Sequence, residues 1–379
     1  MYQTMRPTLK GWIDDLVPAA AAFAAEHEAA LREHTIEGRF PAEIFAEMGK
    51  LGWVGVLAPP EVGGLGGGVA EYCALQEEVG RWALVSPQTS MQAQRWLIDW
   101  GTPEQRERYL GPIARGELIF SEAISEPGMG SSMKTMRATA RRDGSDWILS
   151  GTKVHVNLGK ESGLTLFYGM APEGLTAFLV DNSPELIESV HTRPIGLRLL
   201  PTAEMRFDEV RVPGSAVLGE VGRGMDTFLT TFNVSRLGNA SELLGIGRRA
   251  LAQAVRYGQE RQVGTGKVVD FQGIQWTIAD LYADLVSAAM VRNHAAEVAD
   301  RGDDPAFETS LAKQVAIRAS EHAVNEAFAL TGGHGLYDDT DYGQLLHDVK
   351  VLRVAGGSLE ILRNYVARTI LRSETLRGL

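Results

Sequence analysis

Cysteine is all but missing from this chain: Cys73 is the only one in 379 residues. That excludes an intramolecular disulfide and any zinc or iron–sulfur site built from several thiolates, and it suits a reducing cytoplasm. The eight histidines are scattered with no His-x-x-x-His pair, so no metal site is expected. No run approaches the roughly 20 apolar residues a membrane span requires. Asp14 and Asp15 also interrupt the stretch where a signal peptide would keep its apolar core. Positive charge is in deficit, with 37 Lys and Arg against 48 Asp and Glu and a formal net charge of -11. Phosphate recognition needs concentrated cations, which argues against nucleic acid or an anionic membrane as the main partner. A cytoplasmic protein is expected.

What is present describes an ordinary globular chain, 44% hydrophobic and 22% charged, long enough for two or three domains. From Trp12 to Trp100, alanine-rich segments of helical period such as Ala19 to Arg32 and Glu71 to Arg81 alternate with breaks at Pro41, Pro59-Pro60 and Gly63 to Gly68. Between Leu118 and Leu218 the pattern turns to short β-rich runs: Leu118 to Ile124, Trp147 to Leu149, Leu164 to Tyr168, Leu175 to Val180 and Ala203 to Val212. Long amphipathic helices then return over Ser235 to Gln262, Phe271 to Asp300, Pro305 to Leu330 and Tyr342 to Leu371. The expected fold is α+β and mostly α: a helical domain over 1–117, a β-domain over 118–220 and a helical bundle over 221–379.

Two motifs carry little. Gly63-Gly64-Leu65-Gly66-Gly67-Gly68 lacks the Gly-Lys-Ser/Thr ending of a phosphate loop and follows no evident strand, so it reads as a turn between helices. Ser131-Ser132-Met133-Lys134 matches Ser-x-x-Lys without its companion elements, and chance explains it better than acyl-serine chemistry.

An ordered set of segments resembles the acyl-CoA dehydrogenase family from about Phe40 to Leu371. Phe40-Pro41-Ala42-Glu43, Leu51-Gly52-Trp53 and Gly63-Gly64-Leu65-Gly66 look like its N-terminal domain. Ser125-Glu126-Pro127-Gly128-Met129-Gly130-Ser131 looks like its flavin loop, and Leu149-Ser150-Gly151-Thr152-Lys153 like the strand turn leading to the flavin face. Val212-Pro213, Leu218-Gly219-Glu220, Gly222-x-Gly224, Glu260-Arg261, Asp270-Phe271-Gln272 and Gly332-Gly333-x-Gly335 continue the series in the family's order.

The resemblance implies an N-terminal helical domain, a middle β-domain and a C-terminal four-helix bundle. It further implies FAD as cofactor, an acyl-CoA substrate, an electron-transfer flavoprotein as electron acceptor, and a homodimer or homotetramer sharing FAD sites. Ser125, Ser131, His155, Asn157, Arg261, Gly332, Gly333, Ser358 and Glu360 fall at cofactor positions, with Arg261 directed to the pyrophosphate of a neighbouring subunit's FAD. Ser131, Asn233, Arg236, Gln88, Met91 and Gly356 fall at substrate positions, with Gln92 beside them; a polar pair there hints at something other than a plain fatty chain. Dehydrogenating a thioester needs a base for the α-proton and hydrogen bonds that hold the carbonyl oxygen.

The departures concern that base. The family's main carboxylate position is Gly356, and the alternative used by some branches is Ser235. Glycine takes no proton, although its peptide N–H can still serve the thioester carbonyl, and an unassisted serine is a poor base. Glu242 lies two helical turns past Ser235, about 10 Å along the axis, and serves only a differently placed substrate. Glu360 is assigned to a cofactor or dimer contact. His155 stands where many relatives stack a tryptophan on the flavin; an imidazole there can stack, hydrogen-bond or titrate. Asn157 and Leu158 replace the usual Thr-Asn pair. Gly264 and Ala329 replace a phenylalanine and a glutamine, which thins the contacts to the adenosine half and implies weak or assembly-dependent FAD binding. The tail Arg353 to Glu360 resembles crotonobetainyl-CoA reductase, a branch that runs toward the saturated thioester. Three readings stay open: an FAD-dependent oxidoreductase interconverting saturated and α,β-unsaturated acyl thioesters, a flavin-bound eliminase acting on an acyl-CoA, and a catalytically incomplete subunit of a heteromeric dehydrogenase.

Overall fold

In the computed structural model, which describes residues 11–130, 132–337 and 339–373, five helices come first. They are α1 (Trp12–Glu37), α2 (Ala42–Lys50), α3 (Val69–Trp82), α4 (Gln88–Trp100) and α5 (Pro103–Ala114). The glycine run Gly63 to Gly68 forms the connection into α3, with no phosphate-loop strand before it. The entry to α5 shows why a helix starts there: the Thr102 hydroxyl accepts from the Gln105 N–H at 3.2 Å, Gln105 Oε1 accepts from the Thr102 N–H at 3.0 Å, and Pro103 supplies a pre-set φ.

The middle of the chain forms β1 (Phe120–Ala123), β2 (Thr139–Asp143), β3 (Asp146–Asn157), β4 (Leu164–Ala171), β5 (Gly174–Asp181), β6 (Ile187–Thr192) and β7 (Thr202–Val212). Their sheet runs β1-β4-β2-β3-β7-β6, with β5 also paired to β4. Its core gathers Trp147, Phe167, Phe178 and Phe207, where Trp147 meets Phe178 edge-on at 5.4 Å. Strands β2 and β6 are missing from the sequence reading because Thr139-Ala140-Arg141-Arg142-Asp143 and Ile187 to Thr192 bury few side chains. Strand β3 extends well past Leu149, through polar residues that the β7 ladder pairs.

The last part holds α6 (Gly224–Glu260), a short β8 (Gln262–Val263) and β9 (Gly266–Lys267) hairpin, α7 (Gln272–Asp300), α8 (Ala306–Thr331), α9 (Tyr342–Val354) and α10 (Leu359–Arg372). Helix α6 starts at Gly224, eleven residues before the expected Ser235, since Phe228 packs on Tyr168 of the β-domain and Phe232 packs on Phe228. The single helix expected over Tyr342 to Leu371 is two helices, broken at Ala355 to Ser358 by consecutive glycines.

Buried charge ties the N-terminal helices to the bundle. Arg292 of α7 donates to Glu77 of α3 at 2.6 Å and to the Ser241 hydroxyl of α6 at 2.6 Å, and Arg248 meets the other Glu77 oxygen at 2.8 Å. Both guanidinium groups hold the Glu77 carboxyl below its ordinary value in spite of the opposing effect of burial. Removing one partner of such a set strands a buried charge, at a cost of about 3–5 kcal/mol. Among the described residues no helix is long and apolar enough to cross a membrane.

Candidate active site

Helix α9 closes with the Ala355 N–H on the Val351 carbonyl at 3.0 Å. Gly356 and Gly357 then take φ of +65° and +98°, and α10 begins under Ser358, whose hydroxyl accepts from the Ile361 N–H at 3.5 Å. Two successive left-handed residues come at little cost only with glycine. The bearing from which a Gly356 side chain would leave points at α6 and α8. There the Lys313 ammonium lies 3.5 Å and the Ser235 hydroxyl 3.6 Å from the Cβ position, with the Asn239 amide nitrogen inside the 3.0 Å limit for a Cβ contact. Ser235 and Gly356, distant in sequence, meet at one point.

Lys313 is fully buried and donates to the carbonyls of Ala355 and of Gly357, the latter at 3.0 Å. Burial, reinforced by the like charge of Arg236, brings its ammonium down to about 7. Asn239 donates to the Ala355 carbonyl at 3.2 Å. Arg236, itself lowered by burial, donates to Asn233 Oδ1 and the Ser310 hydroxyl, each at 3.1 Å, with its guanidinium 4.4 Å over the Phe232 ring. Gln88 donates to the Ser235 hydroxyl at 3.2 Å, so α4 also reaches the site. Met91 is fully buried in a cluster that joins the N-terminal helices to Val234 and Leu237 of α6, and Gln92 is buried on the same helix.

Glu242 lies two turns further along α6, beside Ser86. Its carboxyl accepts from the Ser86 hydroxyl at 3.2 Å and borders a small cavity of about 60 Å³ shared with Leu84, Leu199 and Asp348. Burial pushes the Glu242 carboxyl up to about 8, so it is mostly protonated at neutral pH.

A second cavity, about 420 Å³, is lined by Glu126 to Gly130, Val154, His155, Thr192 and Glu204. His155 takes φ of +57° within a shift of the β3–β7 register between Lys153 and Val156, a bulge that re-aims its ring toward this cavity. Ser125 opens the same loop, its carbonyl accepting from the Val154 N–H at 2.9 Å. Glu126 fixes the loop: it accepts from the Arg137 and Ala138 N–H groups at 2.6 and 3.0 Å and from Lys153 at 2.8 Å. Burial opposes its ionisation, yet these donors hold its carboxyl below the ordinary range, while burial lowers Lys153 to about 8. Asn157 pairs with Thr202 at the end of β3. Ser131 lies outside the described residues.

Arg261 is exposed at the far end of α6, and Gly332 and Gly333 are exposed after α8 with open space where side chains would stand. The 37 residues of α6 span about 55 Å. Gly224, at the other end, packs on Leu175 of the β-domain. Arg261 therefore stands at the end of α6 away from the β-domain contact of Gly224. Ser358 caps α10, and Glu360 accepts from Arg353 at 3.0 Å.

Asn239, Lys313 and the Glu126–Lys153 pair escaped the sequence reading. Asn239 stands one turn past Ser235 on the same face, a spacing that reveals it. A lone lysine inside the apolar stretch Leu311 to Ile317 was the signal for Lys313.

This arrangement is matched by three family models in the same order as the domains. They are the acyl-CoA dehydrogenase N-terminal domain over residues 14–117, the middle domain over 121–210 and the C-terminal domain over 222–371. The chain belongs to the acyl-CoA dehydrogenase family. Among its relatives are the 3-(aryl)acrylate reductase of Clostridium sporogenes, 31% identical over 88% of this chain and 91% of that protein, and the mitochondrial short-chain specific acyl-CoA dehydrogenase of Bos taurus, 30% identical over 98% and 90%. The butyryl-CoA dehydrogenase structure from Megasphaera elsdenii overlays with a TM-score of 0.92 at 23% identity, covering 98% of this chain and all of that one. A chain from the structure of the electron transferring flavoprotein of Acidaminococcus fermentans gives 0.91 at 25% identity, with 98% and 100% covered. As an acyl-CoA dehydrogenase family member the protein is a flavoprotein oxidoreductase with FAD as cofactor. The cavity under His155 and the loop pinned by Glu126 fit that group: a bulged ring faces a space bordered by glycine backbone.

Proposed function

We propose that this protein reduces the α,β double bond of an acyl-CoA thioester, running the family's interconversion toward the saturated form. The observation that carries this reading is the character of the groups nearest Gly356. Asn239 presents an amide nitrogen, Lys313 an ammonium and Ser235 a hydroxyl, and the neighbouring charge that bears on Lys313 is the cation Arg236. Dehydrogenation requires a base at the α-carbon, whereas reduction requires an acid there. Lys313, at about 7, carries its proton in about half of the molecules at neutral pH and can supply that acid, with the Asn239 amide and the Ser235 hydroxyl beside it.

In this reading FAD supplies the two-electron chemistry at the β-carbon, and Lys313 delivers the proton to the α-carbon. Gly356 and Arg236 hold the thioester end, while His155, Ser125 and Asn157 orient the flavin. A relative named as a reductase at 31% identity supports the direction. Electrons come from an electron-transfer flavoprotein, a partner supported by the likeness to the Acidaminococcus fermentans structure. The exposure of Arg261, Gly332 and Gly333, with open space beside both glycines, supports an oligomer in which a second copy completes each FAD site, in the cytoplasm.

The test is the visible spectrum of the purified protein, read anaerobically. Yellow protein, once reduced, is expected to reoxidise on addition of crotonyl-CoA, while butyryl-CoA leaves the oxidised form unbleached. Equal bleaching by butyryl-CoA overturns the direction. Protein that stays colourless when FAD is supplied overturns the enzyme reading in favour of an incomplete subunit.

A further inference from the structure

The strand pair that carries His155 also fixes what stands opposite it. In the β3–β7 ladder Lys153 pairs with Met205 and Val156 with Ala203, so Val154 and His155 together face a single residue, Glu204. Lys153, Val156, Ala203 and Met205 are buried, whereas His155 and Glu204 are exposed and both line the cavity of about 420 Å³. No hydrogen bond or ion pair joins either of them to another of the described residues. The second acidic group of the cavity, Glu126, is already compensated by Lys153, which donates to it at 2.8 Å. Strand β6 adds Thr192 and the loop adds Pro127 to Gly130, none of which titrates. Among the residues lining the cavity, His155 is therefore the one side chain able to carry positive charge, and Glu204 is the carboxylate left without a counter-charge.

Two-electron reduction of FAD takes one proton onto the flavin ring and leaves one negative charge there. Setting that charge beside carboxylates is unfavourable unless a further proton arrives with the electrons. We propose that His155 and Glu204 form a proton-holding pair for the flavin: as the flavin is reduced, the imidazole takes up a proton from solvent, and Glu204 across the bulge holds the resulting imidazolium. The step balances as two electrons, delivered by the electron-transfer flavoprotein, and two protons, one on the ring and one on His155. The exposed position of His155 gives that proton a direct path from water. Both residues act through the charge they set beside the flavin rather than on the thioester. The inference rests on FAD occupying this cavity and holds for either direction of the thioester reaction.

The midpoint potential of the bound flavin counts these protons without any turnover. It is measured by anaerobic dye equilibration on the FAD-loaded protein across the range in which an imidazole titrates, about pH 5–8. Each proton taken up with two electrons lowers the potential by about 30 mV for every tenfold drop in proton activity. Over part of the range the parent is expected to fall about 30 mV per pH unit more steeply than His155→Asn, a substitution that tolerates the left-handed φ of +57°. Glu204→Gln should keep the steep segment but move it to lower pH, since the imidazolium loses its neighbouring carboxylate; this variant covers the case in which His155→Asn loses its flavin. Lys153, brought to about 8 by burial, titrates in parent and variants alike and cancels in the comparison. Equal slopes in parent and His155→Asn, or a steep segment that stays in place in Glu204→Gln, overturn the pair and leave the acyl thioester reading standing. A parent protein that takes up no FAD overturns the flavin placement on which both rest.

Discussion

Substituting Gly356 tests whether the turn between α9 and α10 is built around the absence of a side chain. In Gly356→Ala the new Cβ must adopt φ near +65° and meet the Asn239 amide nitrogen. The left-handed conformation costs about 1–2 kcal/mol for an L residue. Relief of the contact requires Asn239 to swing away and give up its hydrogen bond to the Ala355 carbonyl, about 1 kcal/mol more. The expected loss is therefore about 2–3 kcal/mol. At about 2 cal/mol/K of unfolding entropy per residue, that lowers Tm by about 3 °C if the whole chain unfolds as one unit. Calorimetry of a double-mutant cycle with Asn239→Ala supplies the check. Once Asn239 is trimmed the contact term is already gone, so the two losses should fall short of additivity by about 1 kcal/mol. Strict additivity, or a Gly356→Ala variant as stable as the parent, refutes the close-approach reasoning. The same geometry bears on Gly356→Glu: a carboxylate there stands beside Lys313 but must first displace Asn239. Flavin bleaching by a saturated acyl-CoA should thus emerge in Gly356→Glu/Asn239→Ala more strongly than in Gly356→Glu alone.

Three further outcomes are expected. If Lys313 is the proton donor, the rate of double-bond reduction falls as pH rises through about 7, where its ammonium deprotonates; Lys313→Met should abolish that alkaline limb in a stopped-flow pH profile while keeping bound flavin, and a limb that persists assigns the proton elsewhere. Arg261→Ala should sharply reduce the flavin that survives gel filtration, read as the ratio of visible to ultraviolet absorbance, with unchanged retention overturning the interface assignment. Glu126→Gln leaves Lys153 buried without its counter-charge and should destabilise by about 3–5 kcal/mol. Because the Glu126 carboxyl is held below its unfolded value, its contribution is complete above about pH 4.5 and is lost as pH falls through the lower folded value, so the urea midpoints of parent and variant should converge in acid.

The helices and most strands were legible in the sequence because their apolar periods report one buried face at a time. Ser235 and Gly356 were placed in the active site by resemblance alone, and Asn239 and Lys313 were not placed at all, because the site forms where α6, α8 and the α9–α10 corner meet. Ser235 and Asn239 share a face of α6, so one turn of helix relates them, but nothing along the chain brings Lys313 of α8 beneath Gly356. The expected unbroken helix from Tyr342 to Leu371 failed for a related reason: Gly356-Gly357 lies in a stretch whose apolar spacing continues on both sides, and only the paired left-handed φ values show that the chain turns there. The break is also what gives Lys313 its place, since it frees the carbonyls of Ala355 and Gly357, and a buried ammonium is the group that satisfies both. A carboxylate at 356 would add a base next to that lysine; with glycine in its place, the donors that support the turn are what remains to face a substrate. The reading of a reductase therefore follows from the same hydrogen bonds that hold the α9–α10 corner together, and a substitution that removes Lys313 must disturb both the corner and the chemistry if that account is right.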